Sequence, residues 1–263
     1  MKLTANLSLL YTELPFLSRF AAARKDGFDA VEIQFPYDTP IADIQRALVE
    51  SNLRCVLINV SAGDLMAGGE GLAAIPGKTA EFAAALVECQ AYARALKVKC
   101  VNVLPGRCFD ANKRASYLAT FQNNLLETAR HLAPFGIITT FEAINTQDMP
   151  DFLISTGEQM LRVLEEVNHP SIKMQFDIYH MAVMGENIPT FIKHYATDIG
   201  HIQFADTPGR HEPGTGNLDF NEIFCAIEES EYDGWIGAEY RPSRPNTSVT
   251  MAWKKKLPAL ECV

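Results

Sequence analysis

Ile137-Ile138-Thr139-Thr140-Phe141-Glu142 is a short run of β-branched and aromatic residues that ends on a carboxylate. The same pattern returns three times in the second half of the chain. It recurs as Ile172-Lys173-Met174-Gln175-Phe176-Asp177, as Ile199-Gly200-His201-Ile202-Gln203, and as Trp235-Ile236-Gly237-Ala238-Glu239. The terminal polar residues are separated by 35, 26 and 36 positions, each enough for a strand, a crossover helix and the next strand. Neighbouring parallel strands would then bring Glu142, Asp177, Gln203 and Glu239 to one carboxyl edge. Three carboxylates and an amide converging there make an oxygen-rich pocket for a hard divalent cation.

Working outward, strand-like runs cover 3–9, 30–33, 55–60, 100–103, 137–141, 172–176, 199–204 and 235–238. Between and after them, helical spacing covers 16–25, 41–51, 79–96, 115–133, 157–167, 188–195, 220–230 and 249–257. The strands do not alternate polar with apolar residues, which indicates burial on both faces of a parallel sheet wrapped by helices. Eight βα units in about 250 residues is the size of a (β/α)8 TIM barrel, an α/β fold, here read as a single domain over 1–263. A doubly wound sheet would carry a glycine-rich turn after its first strand, where this chain has Ser8-Leu9-Leu10-Tyr11-Thr12. Gly71 to Thr79 resembles a P-loop but has five residues between its glycines and no preceding strand. Pro76-Gly77 reads as punctuation before a helix.

Composition narrows the function. With 48% hydrophobic residues the chain can bury a large core, and its formal charge of -9 opposes a nucleic-acid partner. An acidic protein that takes an anionic substrate needs its own local cation, which a bound metal supplies. The six cysteines show no zinc-like spacing, and no disulfide is expected of them. Met1 to Leu7 reads as a strand rather than a signal peptide, and no run is apolar enough to span a membrane. A reducing, cytoplasmic location is expected.

Each edge residue taken alone reads equally well as a helix cap or a solvated loop residue. Four on successive strands at the catalytic end of a barrel are harder to dismiss. His180 lies three residues past Asp177, where it can stand over the metal as a substrate donor, or else bond to backbone as a loop residue. The long turn-rich segment from Asp206 to Gly216 follows strand seven, and such loops often act as lids. Its Arg210 and His211 are candidates to reach an anionic substrate, against a solvated turn. Arg241, two residues past Glu239, can steer a carboxylate or pair with a surface acid. Asn59 to Asp64 would supply backbone donors near the mouth, and Asp64 itself is a turn residue or a ligand contact. Trp253 and Phe35 are either core residues or contacts of a homo-oligomer.

Phe141-Glu142-Ala143-Ile144-Asn145 and Phe176-Asp177-Ile178-Tyr179-His180, with the four strand ends, resemble the xylose isomerase-like TIM barrel superfamily. The resemblance narrows to the hydroxypyruvate isomerase family, which includes the 2-oxo-tetronate isomerases. It is carried by Ala5-Asn6-Leu7-Ser8, Phe35-Pro36-Tyr37, Ala62-Gly63-Asp64, His211-Glu212-Pro213-Gly214-Thr215-Gly216 and Gly234-Trp235-Ile236-Gly237-Ala238-Glu239-Tyr240. These span nearly the whole chain in order.

The resemblance implies a divalent ion, Mg2+ or Mn2+, held by Glu142, Asp177, Gln203 and Glu239. It also implies that Glu142 and Glu239 are the proton donor and acceptor of an isomerase in carbohydrate metabolism. Related epimerases carry a histidine where this chain has Gln203, and their second glutamate has only Asp148 as a counterpart. The implied substrate is a small anionic hydroxy-oxo acid, hydroxypyruvate or 2-oxo-tetronate, isomerised through an enediolate. Within that chemistry His180 would orient the substrate hydroxyl, and Arg210 and Arg241 would hold its carboxylate. The alternatives are a ketose 3-epimerase, a metallonuclease disfavoured by charge and six histidines, and a sugar-acid-binding protein on a retired barrel.

Overall fold

Strand-forming β-branched runs and amphipathic helices alternate along the chain because each strand needs both faces covered. In the computed structural model, which describes residues 1–259, eight parallel strands close into a barrel in sequence order. They are β1 (Lys2–Asn6), β2 (Ala30–Ile33), β3 (Arg54–Asn59), β4 (Cys100–Val103), β5 (Ile138–Glu142), β6 (Ile172–Asp177), β7 (Ile199–Phe204) and β8 (Trp235–Ala238). β8 pairs with β1, so no edge is left open. The expected α/β barrel is the fold observed.

Helices α1 (Ser18–Lys25), α2 (Ile41–Ser51), α3 (Thr79–Leu96), α4 (Arg114–Leu132) and α5 (Gly157–Val167) follow the first five strands in order. Two helices, α6 (Ile178–Val183) and α7 (Ile188–Tyr195), both follow β6, and α8 (Phe220–Glu229) follows β7. The helix expected over 249–257 is instead a 3-10 segment, Thr247–Ala259. α6 was not expected, because six residues are too few to show a period.

Side chains at helix starts fix where the helices begin. Thr156 caps α5, Asn187 caps α7 and Asp219 caps α8, each accepting from a backbone N–H of the first turn. The segment read as a false P-loop is a 3-10 turn, Pro76–Lys78, leading into α3.

Outside the barrel, Phe204 of β7 packs edge-on against Phe220, Phe224 and Trp253. Trp253 is therefore core, and not an exposed contact. Phe35 is half-buried against a satellite cluster of Ala62, Leu65, Leu104, Ile144 and Phe152 at the barrel mouth. Cys55, Cys89, Cys100 and Cys108 are free thiols, whereas Cys225 is disulfide-bonded, which corrects the expectation of no disulfide. Cys262 lies outside the described residues. Among the described residues, no helix is long and apolar enough to cross a membrane.

Candidate active site

Side chains alternate across a strand, so residues two apart share a face. Thr140 and Glu142, Gln175 and Asp177, and His201 and Gln203 are three such pairs, all buried. Parallel register sets Glu142 beside Gln175 and Asp177 beside Gln203. β8 ends at Ala238, opposite Phe204, and the next residue, Glu239, donates its N–H to the Phe204 carbonyl at 3.1 Å. The four strand-end residues thus meet at the carboxyl end of the barrel.

They do not play equal parts. One carboxylate oxygen each from Glu142 and Asp177 and one ring nitrogen of His180 lie within 4.8 Å of one another. Glu239 faces the same cavity but is held elsewhere. Its Oε1 accepts from Asn6 at 2.8 Å, Gln34 at 3.0 Å and Gln203 at 3.1 Å. Its Oε2 pairs with Arg210 Nη2 at 2.5 Å, and the same nitrogen reaches Asp177 Oδ2 at 3.3 Å. Arg210, expected to reach outward to substrate, is instead drawn inward between two carboxylates.

Gln203 sits below this layer. Its Nε2 donates to Glu32 Oε2 at 2.9 Å as well as to Glu239, and its Oε1 accepts from Gln175 at 2.7 Å. Gln175 also donates to Glu142 Oε2, so one amide ladder ties three strand ends together. Glu32 further accepts from, or pairs with, His201 Nε2 at 3.0 Å. Gly237 makes room for this network, since a Cβ there would lie 1.8 Å from Glu32 Oε1. Asn6, Glu32, Gln34, Gln175 and His201 are members of the site that the strand-end pattern does not reveal.

The protonation pattern follows from burial and charge. Burial, then the charges of Glu239 and Asp177, push the Glu142 carboxyl well above its ordinary 4.5. Burial raises Glu239 to about 8, with Arg210 opposing the rise and Asp177 and Glu32 adding to it. Burial also raises Asp177, against Arg210 and the Tyr179 N–H, which Asp177 accepts as the cap of α6. For Arg210, burial disfavours the charge, but Glu239, Asp177 and Glu142 overcome it and keep the guanidinium protonated.

His180 can be assigned a tautomer. Asn145 Oδ1 accepts from the backbone N–H groups of Gln147 and Asp148 at 3.1 and 2.8 Å, which fixes the amide orientation. Its Nδ2 must then face His180 Nδ1, 2.7 Å away, and the Asn145 backbone N–H points to the same nitrogen at 3.4 Å. Nδ1 is thus the acceptor, and a neutral ring carries its proton on Nε2. Burial, then Arg210, keeps the ring neutral by holding its pKa well below 6.5. Nε2 lies 3.5 Å from Asp177 Oδ2 and 4.0 Å from Glu142 Oε1. Geometry alone counts His180 as a ligand; its tautomer makes it a donor.

Other expected residues separate. Arg241 lines the cavity with Arg210, but His211 turns away and bonds the Arg241 carbonyl through Nδ1 at 2.6 Å. The loop from Asp206 to Gly216 is braced: Asp206 accepts from the N–H groups of Thr207, Gly214, Gly216 and Leu218. Asp64 stays in its turn, accepting from Gly71 N at 2.8 Å. Asp148 accepts from Tyr179 OH and Asn145 at the cavity wall. The cavity holds about 300 Å³, with Phe35, Leu65, Leu104 and Ile144 forming an apolar side.

The residues fit a divalent cation. The donors that face one another are buried carboxylates, whereas Gln203 Oε1 is taken by Gln175, and the chain already places a cation of its own, the Arg210 guanidinium, between two of the carboxylates.

Comparison with known proteins agrees with this architecture. The family model described as xylose isomerase-like TIM barrel matches residues 20–257. The chain is 38% identical over 253 residues to the hydroxypyruvate isomerase of Escherichia coli K12, covering 96% of this chain and 98% of that protein. It is also 38% identical over 254 residues to a 2-oxo-tetronate isomerase of Cupriavidus necator, covering 97% of each. A crystal structure of an AP endonuclease, family 2, from Brucella melitensis superposes with a TM-score of 0.93 at 35% identity. That match covers 99% of this chain and 100% of the other.

Proposed function

This chain belongs to the xylose isomerase-like TIM barrel family, and from that premise we propose that it is an isomerase of a small hydroxy-oxo acid. The observation that carries the reading is the meeting of two buried glutamates, Glu142 and Glu239, with Asp177 and a donor imidazole around one small cavity. Binding alone needs no pair of proton-carrying carboxyls.

Glu142, Asp177, Gln203 and Glu239 would hold a divalent cation, Mg2+ or Mn2+, which when bound polarises a carbonyl and stabilises developing negative charge. Glu142 and Asp177 already bring one oxygen each close together. Arg210 would give up both Asp177 Oδ2 and Glu239 Oε2 as the cation enters, which would bring Glu239 in. His180 would donate Nε2–H to a substrate oxygen.

The chain's own chemistry is proton movement. In hydroxypyruvate the carbonyl is at C2 and the hydroxyl at C3. One glutamate takes the C3 proton, leaving an enediolate. A carboxyl returns a proton to C2, and the C3 hydroxyl proton passes to O2 as C3 becomes the aldehyde. Burial raises both carboxyls above the ordinary range, Glu239 to about 8, which favours their holding a proton to give. The four-carbon 2-oxo-tetronate undergoes the same exchange between its adjacent carbons.

The test is turnover of hydroxypyruvate and of 2-oxo-tetronate, side by side, by chelated protein and by protein given Mg2+ or Mn2+. Metal-dependent turnover of one supports the reading and selects the substrate. Turnover of neutral ketoses alone would move the assignment to a 3-epimerase. The nuclease name carried by the Brucella melitensis relative finds no support here: the charge of -9 and a cavity of about 300 Å³ oppose a polyanionic duplex.

A further inference from the structure

Three guanidinium groups line the cavity, those of Arg107, Arg210 and Arg241. Arg210 is committed to Asp177 and Glu239. Arg107 is not committed to any acid: among the described residues it forms no ion pair. Its Nη1 donates to the Gly68 carbonyl at 3.3 Å, and its buried Nε has no partner. Nearby Glu70 has both carboxylate oxygens engaged, by the Phe109 N–H and by Tyr117 OH. A buried donor left unpaired in a folded protein calls for an explanation.

The backbone around Arg107 is pinned from two sides. Its N–H donates to the Glu70 carbonyl at 2.8 Å, the Gly106 carbonyl accepts from Leu153 N at 2.9 Å, and Cys108 N donates to the Asp151 carbonyl at 2.9 Å. Arg107 and Phe152 form an isolated antiparallel bridge. Gly106 has φ +86°, and a Cβ on it would lie 2.3 Å from the Glu70 oxygen. The loops after β3, β4 and β5 therefore lock the base of this side chain, while its charged end is left to the cavity.

We propose that Arg107 receives the carboxylate of the substrate and so selects hydroxy-oxo acids over neutral ketoses. A rigidly based guanidinium matches a planar carboxylate with two parallel hydrogen bonds and loses little freedom on binding. Arg241 stands at the exposed rim, where it adds steering rather than fit. Arg210, by contrast, lies between Asp177 and Glu239 in this structure. This assignment rests on the isomerase reading for its substrate but not for its ligand chemistry.

The experiment compares wild type, Arg107→Met and Arg107→Lys, each loaded with Mn2+. Calorimetry measures binding of tartronate, a three-carbon dicarboxylate, and of dihydroxyacetone, its neutral counterpart in size. Kinetics measure KM and kcat on the oxo acid that wild type turns over. Arg107→Met is expected to weaken tartronate and raise KM by about 10- to 100-fold, with dihydroxyacetone binding and the melting temperature unchanged. The lysine variant should recover part of the loss.

Equal loss for both ligands, or unchanged tartronate affinity, would overturn the assignment. Tartronate binding through Arg107 with no turnover of either oxo acid would keep the carboxylate site and sink the isomerase reading. Normal oxo-acid kinetics in Arg107→Met would do the reverse.

Discussion

Replacing Glu239 with Gln tests the electrostatics of the site without any substrate. Glu239 is nearly fully buried, and its carboxyl is raised from 4.5 to about 8 by burial, with Arg210 opposing and Asp177 and Glu32 reinforcing the rise. Burial therefore favours the protonated form, against the four donors that Asn6, Gln34, Gln203 and Arg210 turn toward its oxygens. Its stabilising contribution is fully present below the unfolded value near 4.5 and is lost as pH climbs through about 8. At about 1.4 kcal/mol for each tenfold change in proton affinity, the full loss is about 5 kcal/mol, taken as an upper bound. Glutamine keeps the shape and stays neutral at every pH.

Metal-free wild type and Glu239→Gln should therefore melt alike near pH 5. By pH 9 the variant should be the more stable, by a gap on the order of 10 °C for a chain of this size. Thermal denaturation followed by circular dichroism across that range reads the gap directly. Added Mn2+ at pH 9 should narrow it by stabilising wild type, whose carboxylate then has a cation. A gap that does not open with pH, or wild type the more stable at pH 9, would refute the buried-carboxylate argument.

The other predictions concern separate parts of the site. Asp177→Ala should weaken Mn2+ binding at least 10-fold by calorimetry, because that carboxylate is both cap of α6 and member of the cation cluster. Glu142→Gln should lower substrate proton exchange into deuterated water by about 10²- to 10⁴-fold while tartronate affinity is kept; normal exchange would end its proton-carrying role. Asn145→Asp should impair turnover by letting His180 Nδ1 take a proton, visible as a histidine shift in nitrogen NMR spectra. Gly106→Ala should lower the melting temperature, because φ +86° and the 2.3 Å approach to the Glu70 carbonyl both exclude a Cβ.

Much of the barrel was legible because its strands are compact apolar runs between turn residues. β2, β4, β7 and β8 begin and end where such runs do, as do α2, α3, α5 and α7. α6 escaped because a helix of six residues, begun by the Asp177 cap, shows no periodicity. The strand-end residues were visible as polar stops to apolar runs. The polar floor beneath them was not, since Glu32, Gln175 and His201 lie inside runs that look like ordinary buried strands. Period two was the available cue: Gln175 stands two before Asp177, and His201 two before Gln203. Arg107 offered less, being one arginine in an irregular loop whose use depends on three loops meeting in space.

The groups of the site divide by where they are carried. Glu142, Asp177, Gln203 and Glu239 stand at strand ends, where Gln175 ties Glu142 to Gln203 and the amides of Asn6 and half-buried Gln34 hold Glu239. Proton transfer is sensitive to small displacements, so it is best performed from strands that closure of the barrel holds in register. The arginines stand on loops, which can change length and sequence without disturbing that register. A neutral ketose and an anionic oxo acid need the same carboxylates and cation, but only the second needs a guanidinium that no protein acid has claimed. Arg210 does not meet that condition, and of the two that do, Arg107 is the one with a pinned base while Arg241 is exposed, so on the proposed reading substrate charge is read by the loop after β4.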